Sequence, residues 1–471
     1  MKIPIVGPTY NLDAVSFDLQ RSINLYPIFS ESGTSKEVSA LKGTPGYDLF
    51  ATAGTGPIRN CISSTSGRAF VVSGDTFYEI DALGVATNRG TLNSSVGRVN
   101  FAESGTQIML VDGTNGYIFT LATNVLSVIS DVDYPDRATQ VTFQDGYFIV
   151  PEPDTQKLYI SAINDGTSWD ALDFTLVQSS SDNLTALLSD HGVVWCFGNR
   201  SGEVYENTGN AAFPFERIEQ AIIPTGCAAP DTLLPFDNGI IWLGVDENGR
   251  GIVWRNQGFN AARVSTQAIE DRIASVNDFT ESYAWIYHQN GHLFYCLQVK
   301  GLDATLVLDA VTGMWHERTY FNQTLSRNEP HKGSCHMFFN QRNLIGDRSN
   351  GNIYQLKTTV YSDNGDEIHR ERITPHLHDE MRLIKHSSLH IDMETGVGLT
   401  TGQGSDPQLM MRYSDDGGNT WSNERWVSIG KKGKYKNRAR FTRLGQARDR
   451  VYKIKITDPV FVQINGAYLN A

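Results

Sequence analysis

Residues 413–421 read YSDDGGNTW, and five of them fit the spacing Ser/Thr-x-Asp-x-Gly-x-Thr-Trp: Ser414, Asp416, Gly418, Thr420 and Trp421. A carboxylate flanked by hydroxyls can do two kinds of work. It can act on a substrate as acid, base or nucleophile, or it can accept hydrogen bonds from the amides of its own turn. The second reading predicts a hairpin over residues 409–427. Ser414 and Asp416 would then bond amides across the turn, Gly418 would adopt a φ closed to side chains, and Trp421 would pack between strands. None of these groups would be free to act on a substrate.

This spacing resembles the Asp boxes of sialidases, which carry several copies on a β-propeller and cleave sugars. Here one full copy occurs; a second stretch, INDGTSWDALDF at 163–174, shares residue types but not the spacing. Glycoside hydrolysis needs an acid and a partner carboxylate or Tyr around one sugar ring. No local constellation offers that pair, and the arginines crowd towards the C-terminus instead of a propeller face. His376-x-His378 places two imidazoles on one strand face beside Asp379, but a metal centre needs a third ligand and outer-sphere support. DVDYPD at 131–136 lacks the Gly and closing Glu of a calcium loop. There is no phosphate-binding loop, dinucleotide fingerprint, HExxH or nucleophile elbow. The expectation is a chain with no catalytic residue, no metal and no cofactor.

Charge is the strongest remaining feature. The formal net charge is −12, yet residues 425–455 hold twelve Lys/Arg against one acid, Asp449, while the residues before them hold 28 basic and 50 acidic side chains. The run GKKGKYKNRARFTRLGQARDRVYKIK alternates charge with Tyr435, Phe441, Leu444, Val451 and Ile454, as in strands with one basic face. Three uses remain open: a solvated face, docking to an acidic protein surface, or contact with nucleic acid. No sequence-reading motif for DNA accompanies it. The candidate docking residues are Lys431, Lys432, Lys434, Lys436, Arg438, Arg440 and Arg443.

The elements that position these residues read as strands. Gly (43), Tyr (19) and Phe (22) are frequent, which favours strands joined by tight turns. From 58 to 360 one unit recurs, an apolar run, a turn, a second apolar run and an aromatic. The leading turns fall at Gly67, Gly105, Gly146, Gly192, Gly239, Gly291 and Asn343. Repeats of about 40–50 residues with several strands indicate propeller blades, which must pack in a closed ring to bury their faces. The expected fold is all-β, a six- or seven-bladed propeller with a C-terminal β-sandwich-like domain. Its divisions would be 1–57, contributing to propeller closure, 58–360, the propeller, and 361–471, the sandwich. One helix, over STQAIEDRIASVND, would be capped by Ser265 or Thr266 and present Ile269, Ile273 and Val276 on one face. The five cysteines, widely spaced and never paired as CxxC, read as buried free thiols made in a reducing cytoplasm. No stretch reaches the roughly 18 apolar residues of a membrane helix, and the N-terminus shows no signal-peptide run.

Two further stretches carry a family resemblance. RSINLYPI (21–28) followed by LKGTPGYDLF (41–50) resembles the opening of phage tail-accessory proteins, and DFTLVQSSSDNLTALLSDHGVVWCFGNRSGEVYENTG resembles the middle of the packaged-DNA stabilisation family of short-tailed phages. The C-terminal order is similar too: HIDMETGVG, an Asp-Gly turn, a basic run and a final short strand. The resemblance implies a structural tail hub or nozzle made in the host bacterial cytoplasm and housed in the virion. It implies a ring homo-oligomer, typically a hexamer, below the portal-adaptor. Such a ring retains packaged DNA, passes it at ejection without reading its sequence, and receives spike, fibre or needle proteins; no membrane insertion is implied. Competing readings are a receptor- or glycan-binding propeller and a sialidase-like glycosidase.

Overall fold

The computed structural model describes residues 1–12, 14–178 and 180–470. Seven four-stranded antiparallel units follow one another along the chain, over 58–91, 100–128, 142–176, 184–223, 234–263 and 283–322, and finally 333–357 completed by Gly46–Thr52. That last strand comes from the N-terminal segment and lies antiparallel to Asn352–Lys357, from Asn352↔Thr52 to Lys357↔Gly46. It supplies the outer strand of the last blade, and so closes the ring.

The second strands of the blades are apolar throughout rather than alternating. Ala69–Ser73 is buried at all five positions, and Gln107–Val111 and Tyr147–Pro151 at four of five. The cause is stacking: each blade packs a neighbour on both faces, so both pleat directions point into apolar clusters. Six leading turns lie between the first two strands of a blade, and five of their glycines, Gly67, Gly105, Gly146, Gly192 and Gly291, have positive φ. The seventh differs from the expected Asn343. Asn343 lies inside the strand Arg342–Asp347, and the turn is made by Asn340 and Gln341 at φ 47° and 59°.

The second body is a two-sheet sandwich. One sheet runs in the order Leu25–Phe29, Ser39–Gly43, Gln463–Asn470, Ser388–Met393, Ala439–Thr442, with Lys2–Ile3 also on Gln463–Asn470. The other runs Leu19–Ile23, Arg370–Ile373, Asp449–Ile456, Gln408–Ser414, Arg425–Ser428. The first 57 residues therefore divide between the bodies. Gly46–Thr52 serves the ring, whereas the earlier strands complete the sandwich, whose core joins Ile3, Leu25 and Leu41 to Leu389, Phe441, Ile454 and Ile464.

The bodies are continuous through hydrogen bonding. Ile23 bridges Glu317 of the sixth blade on one side and Glu371 of the sandwich on the other. The α-helix Gln267–Ala274 begins after Thr266, whose side chain makes no cap bond, and buries Ile269 and Ile273 against the fifth and sixth blades. No helix among the described residues is long and apolar enough to cross a membrane.

Candidate assembly surface and Asp-box hairpin

The hairpin forms by pairing Gln408↔Ser428, Leu409↔Val427, Met410↔Trp426 and Met411↔Arg425. At its tip the polar groups of the Asp box are spent on one another. Ser414 Oγ donates to Asp416 Oδ1 at 2.6 Å and accepts from the Gly418 amide at 2.8 Å. Asp416 further accepts from the Thr420 amide at 2.9 Å and from Thr420 Oγ1 at 2.6 Å. These bonds from Ser414 and Thr420 hold the Asp416 carboxyl down at about 2, although it faces solvent. Gly418 has φ +101°, and a Cβ there would run into Leu19. Three hydrogen bonds from its own loop make this carboxylate a staple of the turn.

Two features at this tip were not visible in the motif. Asp415, outside the pattern, forms a bidentate pair with Arg450 at 2.5 and 2.7 Å, and the Arg450 guanidinium sits 4.1 Å from the Tyr413 ring centre. Trp421 is half-buried rather than enclosed, and lies against the small cluster of Leu19, Ile373 and Val451.

All seven candidate docking residues are exposed. Lys431, Lys432, Lys434 and Lys436 lie in a turn-rich loop, not on a strand, because Gly430 and Gly433 take φ of +99° and +82° and break the pleat. The loop is nonetheless fixed at its base. Gly433 N–H donates to Gly396 O at 3.1 Å, Lys434 N–H to Lys431 O at 2.9 Å, and Thr395 Oγ1 to Tyr435 O at 3.0 Å. Arg440 is on Ala439–Thr442, an edge strand that among the described residues pairs only with Ser388–Met393, with Arg438 just before it and Arg443 just after. Among the described residues only Lys431 of the seven approaches a carboxylate, Asp406 at 3.9 Å.

Of the other basic residues of the run, Arg448 is exposed and donates to Met381 O at 2.7 Å, whereas three are employed internally. Lys453 and Lys455 reach Glu371 at 2.7 and 3.7 Å, and Arg450 is buried on Asp415. The structure thus separates one sequence run into a part spent on carboxylates inside the fold and an exposed part in which Lys431 alone approaches a carboxylate among the described residues. His376 is also spent: its two ring nitrogens lie 2.7 Å from Asp449 Oδ2 and 2.9 Å from Val15 O. His378 is exposed on a separate short strand, and no group of metal-ligating side chains forms among the described residues.

Sequence reading missed the junction that sets this surface relative to the ring. Burial alone would raise the carboxyl of Glu317, but Arg21 at 2.6 Å and Arg272 at 2.7 Å overcome it and hold it at about 2. Arg372, fully buried, donates to Ile5 O, Pro8 O and Gln20 Oε1 at 2.7–2.8 Å. Asp363, on the short strand beside Tyr47, is pushed up to about 7 by burial, against the pull of Arg318, Arg370 and Lys332. A pair of acids and arginines far apart in sequence leaves no local signal.

Comparison with known proteins finds a match for each body, although the propeller match includes the N-terminal strands that complete the sandwich. Residues 1–361 match the family model described as Bacteriophage P22 Gp10, beta-propeller, and residues 369–471 match Bacteriophage P22 Gp10, beta-sandwich. No curated protein matches. Among solved structures, the chain is similar to the WD40 β-propeller domain of Doa1, at 12% identity and TM-score 0.41, covering 67% of this chain and 98% of that one. It is similar to the N-terminal domain of Nup159, at 9% identity and TM-score 0.41, covering 71% and 98%. It is also similar to the extracellular domain of the putative hybrid two component system BT4673 from B. thetaiotaomicron, at 8% identity and TM-score 0.46, covering 70% of this chain and 45% of that one. With family models matched on both bodies, the chain belongs to the bacteriophage P22 Gp10 family and is a bacteriophage tail protein.

Proposed function

We propose that this chain is a structural, non-catalytic tail hub. Copies assemble as a ring, a hexamer by the family resemblance, below the portal-adaptor. The ring closes the head to retain packaged DNA, provides the ejection channel, and offers the attachment site for spike, fibre or needle proteins. The observation that carries this reading is the exposed, almost unpaired set from Lys431 to Arg443 on a chain that is otherwise strongly acidic. Unpaired like charges on an ordered loop favour an acidic partner and speed its capture. The acidic remainder suits a conduit wall, because like charge keeps DNA from adhering as it slides.

The test reverses the loop. The triple variant Lys431→Glu, Lys432→Glu, Lys434→Glu should fold and melt like the parent, yet fail to enter tailed particles in a complementation assay. Incorporation at the parental level would overturn the docking role. Cryo-EM of particles carrying the parent chain should show a six-fold annulus at the tail vertex with an acidic lumen; a basic lumen would remove the conduit reading.

A further inference from the structure

The five cysteines look unrelated in sequence, but two of them meet where the propeller ring closes. Cys61 is on Ile58–Ser63, the first strand of the first blade, and Cys335 is on Gly333–Phe339, the first strand of the last. The two strands pack side by side across the seam: Ser334 Oγ donates to Ile58 O at 2.7 Å. Cys335 belongs to one apolar cluster and Cys61 packs against it, so the two thiols face the same side of the seam. The space around them is tight, since even a Cβ on Gly346 would lie 3.0 Å from Cys335 Sγ. Both also line a cavity of about 350 Å³ on the ring axis, to which the first strands of the blades contribute. Cys61 is partly exposed, so a small reagent in that cavity can reach the pair.

The electrostatics of the two sulfurs are unequal. Burial raises the thiol of Cys335, but the hydrogen bond from Cys61, the Arg98 charge and bonds from Ser334 and Gly346 more than reverse this, and its pKa is lowered. Burial and the bond to Cys335 push Cys61 well up. Arg98 lines the same cavity and is anchored by donating to Ser334 O at 3.1 Å. A thiol favoured as thiolate beside one that stays protonated is the arrangement of an attacking and a resolving cysteine. Cys196, Cys227 and Cys296 differ: each is fully buried, and burial raises its thiol.

We propose that Cys61 and Cys335 form an oxidisable pair whose disulfide locks the propeller seam. The oxidant is a low-molecular-weight disulfide entering the axial cavity. The Cys335 thiolate attacks one sulfur of it, breaking its S–S bond and releasing one thiolate. Cys61 gives its proton to that thiolate, and its sulfur attacks Cys335 Sγ, expelling the second thiolate. Two protein thiols become one disulfide, and the reagent is reduced to two thiols. Ring closure then no longer depends only on the hydrogen bonds of Gly46–Thr52 to the last blade.

The experiment treats the purified full chain with hydroxyethyl disulfide, followed by peptide mass mapping without reduction and a thermal melt. The expected result is a Cys61–Cys335 linked peptide and a melting midpoint raised by about 4 °C, both reversed by dithiothreitol. Cys196→Ser should leave the shift intact and Cys61→Ser should abolish it. Arg98→Gln should slow cross-linking several-fold near neutral pH, with the difference closing at alkaline pH. Inertness to the reagent, mixed adducts on either cysteine without cross-linking, or a linkage involving Cys196, Cys227 or Cys296 would each overturn the proposal. Mapping of the parent chain decides the matter even if Cys61→Ser does not fold.

Discussion

The chain uses the same basic side chains in two opposite ways. At the junction between ring and sandwich, Arg318, Arg370 and Arg372 are buried, and each donates hydrogen bonds to main-chain carbonyls. On the sandwich surface, Lys431 to Arg443 are exposed and nearly unpaired. Arg318 ties the sixth blade to Pro45, and Arg370 and Arg372 tie the strand Arg370–Ile373 to Tyr361 and to the N-terminal residues Ile5, Pro8 and Gln20, so the first set is committed to contacts inside the fold. The second set contributes little to stability and is available to a partner. Position in the fold, not residue type, decides which role a basic side chain takes.

The sharpest way to break this comparison is at Arg372. Arg372→Met should cost about 4 kcal/mol, because three acceptors in the N-terminal strap lose their donor inside the protein. A urea midpoint within about 1 kcal/mol of the parent would show that the junction does not carry the load assigned to it.

Glu317→Gln should cost about 3 kcal/mol at neutral pH by leaving Arg21 and Arg272 with only the exposed Asp303 to share. The parent's contribution has a definite sign. The folded pKa lies at about 2, below the ordinary 4.5 of a glutamate, so the stabilisation is full above about 4.5 and is lost as pH falls towards 2. The variant should lack that acid-side loss in a pH series of melts.

Asp363 runs the other way. Its folded pKa of about 7 exceeds the ordinary 3.8 of an aspartate, so its contribution is full below about 3.8 and disappears as pH rises through 7. Asp363→Asn should therefore gain roughly 1–3 kcal/mol relative to the parent between pH 5 and pH 8; a constant difference across that range would exclude the assignment. Trp421→Ala should cost about 1–2 kcal/mol, in keeping with a half-buried ring. The smallest effect belongs to the surface set: reversing Lys431, Lys432 and Lys434 should move the unfolding midpoint by less than about 0.5 kcal/mol. A large loss there would mean that these lysines also hold the fold.

The Asp box was legible because its information is local. Ser414, Asp416 and Thr420 bond within seven residues of chain, so the motif and its geometry are nearly the same statement. The basic run was legible as charge but not as surface. Arg443 and Arg450 look alike in sequence, but Arg450 is buried over Tyr413 and Tyr452 and pairs with Asp415, 35 residues away. The strand reading of Lys431–Lys436 failed because Gly430 and Gly433 set a backbone conformation that charge alternation cannot reveal.

The sequence by itself determined the all-β class, the recurring blade unit and the hairpin at 409–427, since strand pleat, left-handed glycine turns and side-chain-to-amide bonds act over a few residues. Tertiary structure alone decided how the N-terminal segment divides, which cysteines meet at the seam, and which arginines are buried. Those outcomes rest on pairings such as Lys2↔Tyr468 and Asn352↔Thr52. Their partners lie hundreds of residues apart, and what selects them is the burial of a shared core rather than any property of either strand alone.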